Sequence, residues 1–111
     1  SSLGKRTQTA QRVLREYEFS VLLNARDLLE NGPDGEEILL NGAIDLLLFE
    51  EDGLTIVDFK TDRVNAGAEG EKAEEHRLQL ELYKQAAQEI FGLPVKECWV
   101  WFLRTGTGVQ V

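Results

Sequence analysis

The stretch Ile38–Thr61 constrains the fold more than any other, because two apolar runs, ILLNGAIDLLLFE and LTIVDFKT, are separated only by Glu51, Asp52 and Gly53. Runs of this kind predict strands over Ile38–Glu50 and Leu54–Thr61, and Asp52-Gly53 is a strong turn signal that predicts an antiparallel hairpin. Each strand also carries an aspartate inside its apolar run, Asp45 in AIDLLLF and Asp58 in LTIVDFK.

The flanks supply the remaining elements. EYEFSVLLNA predicts a strand over Glu16–Ala25, and the Gly, Pro, Asn and Asp of Asn31–Glu37 predict a loop. After a Gly- and Ala-rich connection over Asn65–Gly70, a helix is predicted over Glu71–Phe91. Its packed face carries Gln79, Tyr83, Ala86, Ala87 and Ile90 at three- and four-residue spacing. Gly92 caps that helix and Pro94 stops it. VKECWVWFLRT then predicts a long strand and VQV a short return strand after the turn TGTG. The order predicts a small α/β (mixed α+β) domain with a curved mixed sheet, the helix packed on one side and one aromatic set of WVWF buried against it. The first dozen residues are polar and carry no chemistry; we place a polar segment or linker over 1–14 and the folded domain over 15–111.

Bulk properties narrow the function. A chain of 111 residues holds one core and one site. A net charge of −8 argues against a free-standing nucleic-acid binder, since phosphate affinity rests on clustered Lys and Arg. Any DNA contact therefore needs a metal ion or a basic partner. Cys98 is the one cysteine and lies in an apolar run, so it reads as a core residue, and neither a disulfide nor a cysteine-ligated metal fits. No apolar run approaches a membrane span, and a cytoplasmic location is expected.

The hairpin's polar side chains carry the chemistry. Residues two apart on a strand share a face, so Asp58 and Lys60 do. With Asp52-Gly53 as the turn pair, Asp45 falls opposite Lys60 and Leu47 opposite Asp58, which gathers Asp45, Asp58 and Lys60 on one patch. A one-residue slip sends Asp45 to the far face. Charge pattern alone also fits a surface salt-bridge cluster. Carboxylates embedded in apolar runs are costly unless compensated, however, and a hard divalent ion such as Mg²⁺ supplies that compensation through oxygen ligands. A lysine beside such an ion can orient a water or stabilise charge growing on a phosphate, as phosphodiester hydrolysis requires.

GAIDLL, then IVDFKTD, then a helix with QLELY, with REYEF before and WFLRTG after, resembles the nuclease domain of the PD-(D/E)xK superfamily. The resemblance is to its RecB-like group, and within it to the C-terminal nuclease domain of AddA-type helicase-nucleases. It implies a restriction-endonuclease-like core, Asp45 and Asp58 as acidic metal ligands, Lys60 as the catalytic lysine and the Phe59 main-chain carbonyl as a further ligand. Gln79 and Tyr83 match the family's Q-x-x-x-Y helix motif, which implies DNA contact or support of the site; core packing is the alternative for both. Glu16 sits where the group often carries a glutamate, with a solvated charge as the alternative. The resemblance also implies a Mg²⁺-dependent DNA exonuclease, with Mn²⁺ as a substitute, working in double-strand-break end processing beside helicase domains of the same polypeptide and a partner subunit.

One departure stands out. The family's metal-completing histidine belongs to an upstream helix, and the single histidine here, His76, stands just before RLQLELY. The chain therefore reads as a piece of a larger helicase-nuclease. Two rival readings stay open: a non-catalytic module that keeps the nuclease fold for docking or DNA guidance, and an unrelated acidic α/β scaffold.

Overall fold

A computed structural model describes residues 2–28 and 32–111. Helix α1 (Ser2–Thr9) leads into strand β1 (Arg12–Asn24) and a single turn, α2 (Ala25–Leu28). The hairpin β2 (Glu37–Glu50) and β3 (Gly53–Lys60) follows, then α3 (Glu69–Glu74), α4 (Arg77–Phe91), β4 (Val95–Phe102) and β5 (Thr107–Gln110). The five strands form one sheet in the order β1-β2-β3-β4-β5. Every neighbouring pair is antiparallel except β3 and β4, which run parallel because α3 and α4 carry the chain back between them.

The core explains why β3 lies at the centre. Gly53 to Asp58 are all buried, as expected of a strand covered on both faces. On one face Leu80, Ala86 and Ala87 of α4 pack against Ile44, Leu47, Leu54, Ile56, Val100 and Phe102. On the other, Leu3 of α1 joins Leu46, Leu48 and Val57, with Phe59, Trp99 and Trp101 at the margin. Of the WVWF aromatics, Phe102 therefore meets the α4 side and both tryptophans turn to α1. Cys98 is buried in the α4-side core, where burial pushes its thiol up to about 11, so it stays protonated and inert.

Three sequence expectations need correction. The first strand starts at Arg12 rather than Glu16, and a docked helix precedes it. The long helix breaks at Glu75–His76, where amides donate to carbonyls three residues back (Glu75 N to Lys72 O, His76 N to Ala73 O) and tighten the last turn of α3. The hairpin register is offset by two: Glu50 pairs with Gly53 and Leu47 with Ile56, so the turn pair is Glu51-Asp52. Gly53 serves a different purpose. Its φ is 144°, and a Cβ there would lie 2.7 Å from the Pro94 carbonyl oxygen, which accepts from Leu54 N at 2.8 Å. The glycine is demanded by the close passage of the chain entering β4.

Candidate active site

Asp45 sits where two strands lose regularity together. In β1 and β2, Arg15 pairs with Leu46 and Tyr17 with Ile44, but Glu16 and Asp45 between them are not partners. Leu14 and Tyr17 both pack on the α4 side, as do Ile44 and Leu47, although same-face residues of a regular strand are an even number apart. Both strands thus invert their alternation across Glu16 and Asp45. Glu16 absorbs the bend at φ 50°, the only positive φ on a non-glycine among the described residues. Strain of this kind costs about 1–3 kcal/mol and collects at functional sites.

The kink frees Asp45 to do what a main-chain carbonyl does elsewhere. The β2–β3 ladder stops at Leu46–Val57, and beyond it Phe59 N donates to Asp45 Oδ2 at 2.8 Å. The carboxylate thereby takes over a ladder position and ties β2 to the end of β3.

Extending the ladder by one pair sets Asp45 against Asp58, and Lys60 lies beyond them rather than opposite Asp45. A shift of two leaves Asp58 and Lys60 on one face, and although the alternation inverts at Asp45, its carboxylate still lies against Asp58, so the three groups converge. Asp58 is 6% exposed, and its Oδ2 is buried without a hydrogen bond. Lys60 Nζ stands 2.9 Å from that oxygen as an ion pair, without the alignment of a hydrogen bond. Burial pushes the Asp58 carboxyl above the usual range; the Lys60 ammonium opposes this, and the Asp45 carboxylate adds to it. The group thus has two carboxyls against a single ammonium.

Gln79 and Tyr83 lie on the same side of the sheet. Gln79 Nε2 donates to Tyr83 Oη at 3.4 Å, and neither hydrogen-bonds Asp45, Asp58 or Lys60. The Tyr83 ring meets Phe19 edge to face at 5.3 Å. Both rings crowd Gly42, three residues before Asp45: a Cβ there would lie 2.7 Å from Phe19 Cζ and 2.7 Å from Tyr83 Cε1. Gly42→Ala is therefore expected to cost about 2 kcal/mol by overpacking, read as a lower urea midpoint at unchanged m-value.

His76 is apart from this group. It opens α4, its buried Nε2 makes no hydrogen bond, and Asp62 Oδ2 lies 3.8 Å from it. The backbone strain at Glu16, at the level of Asp45, leaves no compositional signal.

Comparison with known proteins gives the family. Residues 2–110 match the family described as the PD-(D/E)XK nuclease superfamily. The chain is 39% identical over 110 residues to a subunit of an ATP-dependent helicase/nuclease of Carboxydothermus hydrogenoformans, covering 98% of this chain and 9% of that protein. Proteins of the same name from Thermoanaerobacter sp. and Bacillus cereus are 37% and 40% identical, over 96% and 92% of this chain and 9% of each relative. The chain thus spans about 9% of the length of the curated relatives it matches. Sheet order, hairpin and packed helix fit a restriction-endonuclease-like core, and the chain belongs to the PD-(D/E)XK nuclease superfamily.

Proposed function

We propose that this chain is a Mg²⁺-dependent DNA exonuclease domain, with Asp45, Asp58 and the Phe59 carbonyl as the ion's ligands and Lys60 as the catalytic lysine. The observation that carries the reading is the buried Asp58 Oδ2, ion-paired to Lys60 but without a hydrogen bond, beside the second carboxylate of Asp45. Such a donor set suits a hard divalent cation, and Mn²⁺ can replace Mg²⁺. When bound, the ion offsets both carboxylates and polarises the scissile phosphate.

The side chains divide the remaining work. Asp45, pinned through Oδ2 to Phe59 N, keeps Oδ1 for the ion and holds β3 at a fixed distance. Lys60 holds the attacking water in line with the phosphorus and stabilises charge that grows on the phosphate oxygens. Gln79 and Tyr83 support this face from α4 and, as the matched Q-x-x-x-Y pair, contact DNA in this reading.

The relatives' name, a subunit of an ATP-dependent helicase/nuclease, supports a nuclease domain inside a longer helicase-nuclease with a partner subunit; double-strand-break processing in the bacterial cytoplasm is the setting we propose for it. No described helix is long and apolar enough to cross a membrane.

Cleavage of end-labelled linear single- and double-stranded DNA tests the reading. Cutting is expected with Mg²⁺ or Mn²⁺, none with chelator, and none by Lys60→Ala. Equal cutting by Lys60→Ala would sink it. Absence of cutting by the unaltered chain, with Mg²⁺ still binding at Asp58, would favour the non-catalytic module.

A further inference from the structure

Because β3 and β4 run parallel, both end at one edge of the sheet, the edge that carries Asp58 and Lys60. The chain segments leaving those ends are tied together there. Leu103 N donates to Lys60 O at 2.9 Å, and Arg104 Nε donates to Thr61 O at 2.7 Å. Between them opens a cleft of about 470 Å³ lined by Arg63, Val64, Asn65, Arg104 and Thr105. No carboxylate lines it.

The chain as a whole has 20 acidic and 12 basic residues. Six of the ten other cations, Arg6, Arg26, Lys60, Lys72, Arg77 and Lys96, each lie within 4.0 Å of a carboxylate. Among the described residues Arg63 makes no ion pair or hydrogen bond, and Arg104 uses only Nε, leaving both terminal nitrogens of its fork without a protein acceptor. The adjacent acid, Asp62, is engaged with the helices instead, 3.8 Å from Lys72 Nζ and 3.8 Å from His76 Nε2. Two exposed guanidinium groups, one of them anchored by its own backbone-facing nitrogen, suit phosphate oxygens better than any side chain nearby.

We propose that Arg63 and Arg104 form a phosphodiester subsite that grips the nucleic-acid strand next to the bond that is cut. The assignment rests on the nuclease reading for the identity of the strand, and it gives an acidic chain a local means of attracting a polyanion. The cleft adjoins Lys60 through the Lys60–Leu103 and Thr61–Arg104 bonds, so a strand held there runs directly into the carboxylate site.

The test is fluorescence anisotropy of a labelled single-stranded oligonucleotide with the full 111-residue chain, in chelator, across a series of salt concentrations. The Arg63→Gln/Arg104→Gln variant is expected to bind about tenfold more weakly, with a salt slope lower by about 1.4 for two lost phosphate contacts. Arg26→Gln/Arg77→Gln, which changes net charge equally but away from the cleft, is expected to bind as the unaltered chain does. Arg63→Lys/Arg104→Lys is expected to recover most of the affinity. Neutral methylphosphonate linkages in the probe should weaken the unaltered chain and add nothing to the Arg63→Gln/Arg104→Gln loss. Equal thermal unfolding of all variants excludes misfolding.

An unchanged affinity and slope in Arg63→Gln/Arg104→Gln, an equal loss in the control pair, or no binding by the unaltered chain would each overturn the subsite. Parallel assays with Mg²⁺ separate the two readings. Binding through Arg63 and Arg104 without any cutting defeats the nuclease and leaves the subsite standing. Cutting with unchanged KM in the variant defeats the subsite alone.

Discussion

Asp58→Asn is expected to abolish cutting, by about a thousandfold or more, and at the same time to raise the melting temperature of the metal-free chain. Under the proposed function Asp58 is a charged metal ligand, and losing it removes stabilisation that exists mainly in the transition state; effects of that size follow from losing one such electrostatic contact. The gain in stability has the opposite origin. Asp58 is buried, its Oδ2 lacks a hydrogen bond, and its folded pKa is raised above the unfolded value by burial first. Between those two values the folded state binds more protons than the unfolded, so stability falls as pH rises. The penalty is complete above the raised folded pKa and absent below the unfolded one. The melting-temperature gap between Asp58→Asn and the unaltered chain should therefore be full at neutral pH and close as the solution is acidified through the raised Asp58 range. Added Mg²⁺ should raise the melting temperature of the unaltered chain, by about 2.7 kcal/mol of stability at a hundredfold excess over Kd, and leave Asp58→Asn unmoved. An Asn variant that melts lower than its parent at neutral pH would contradict the electrostatics described for Asp58.

The second large effect is structural. Arg6→Met is expected to destabilise the fold by about 2 kcal/mol, roughly 10 °C for a domain of this size. Arg6 reaches from α1 to the hairpin end and β4 at once. Its Nε and Nη2 donate to Glu50 at 3.0 and 2.7 Å, Nη1 and Nη2 to Glu97 at 3.1 and 2.7 Å, and Nη2 to Thr55 Oγ1 at 3.0 Å. Breaking a buried pair costs about 3–5 kcal/mol, and the smaller figure reflects water's access to Arg6 and the help of a second cation. Arg6 is 25% exposed, and Lys96 Nζ remains 3.3 Å from Glu50. The pH dependence identifies the cause. Arg6 pulls the Glu50 carboxyl down to about 2 against the opposing effect of burial, and lowers Glu97 as well. A depressed folded pKa gives stability that is present above the unfolded value of about 4.5 and lost as pH falls toward 2. In Arg6→Met that acid limb should flatten, measured by urea unfolding between pH 2 and 7. A limb of unchanged steepness would show that Arg6 does not hold Glu50.

These two residues also mark what a sequence discloses. Asp58 and Lys60 are legible because a strand's two-residue period puts them on one face whatever the register. The register itself differs by two from the expected one, since Gly53 beside Asp52 looks like a turn while its actual constraint, the Pro94 carbonyl, lies in a distant segment. The bend at Glu16 and Asp45 leaves no mark, because glutamate at positive φ follows from the surrounding sheet and not from its own preference. The break at Glu75–His76 likewise has no glycine or proline to announce it. Arg6 is invisible for a simpler reason: its partners lie 44, 49 and 91 residues away, and a polar helix reads as solvent-facing until those partners are in place.

Phe59 sits on the boundary between these two regions. Its ring packs toward α1 beside Leu46, Val57 and Trp101, while its amide holds Asp45 on the opposite side of the strand. Every amino acid except proline carries that amide. Substitution at this position can thus be governed by packing beneath α1 while the carboxylate keeps its anchor, and proline alone is barred outright. One residue accordingly obeys two independent rules, a strict one for its main chain and a permissive one for its side chain. Variation at position 59 among relatives would therefore record the history of the α1 interface and leave the chemistry unread.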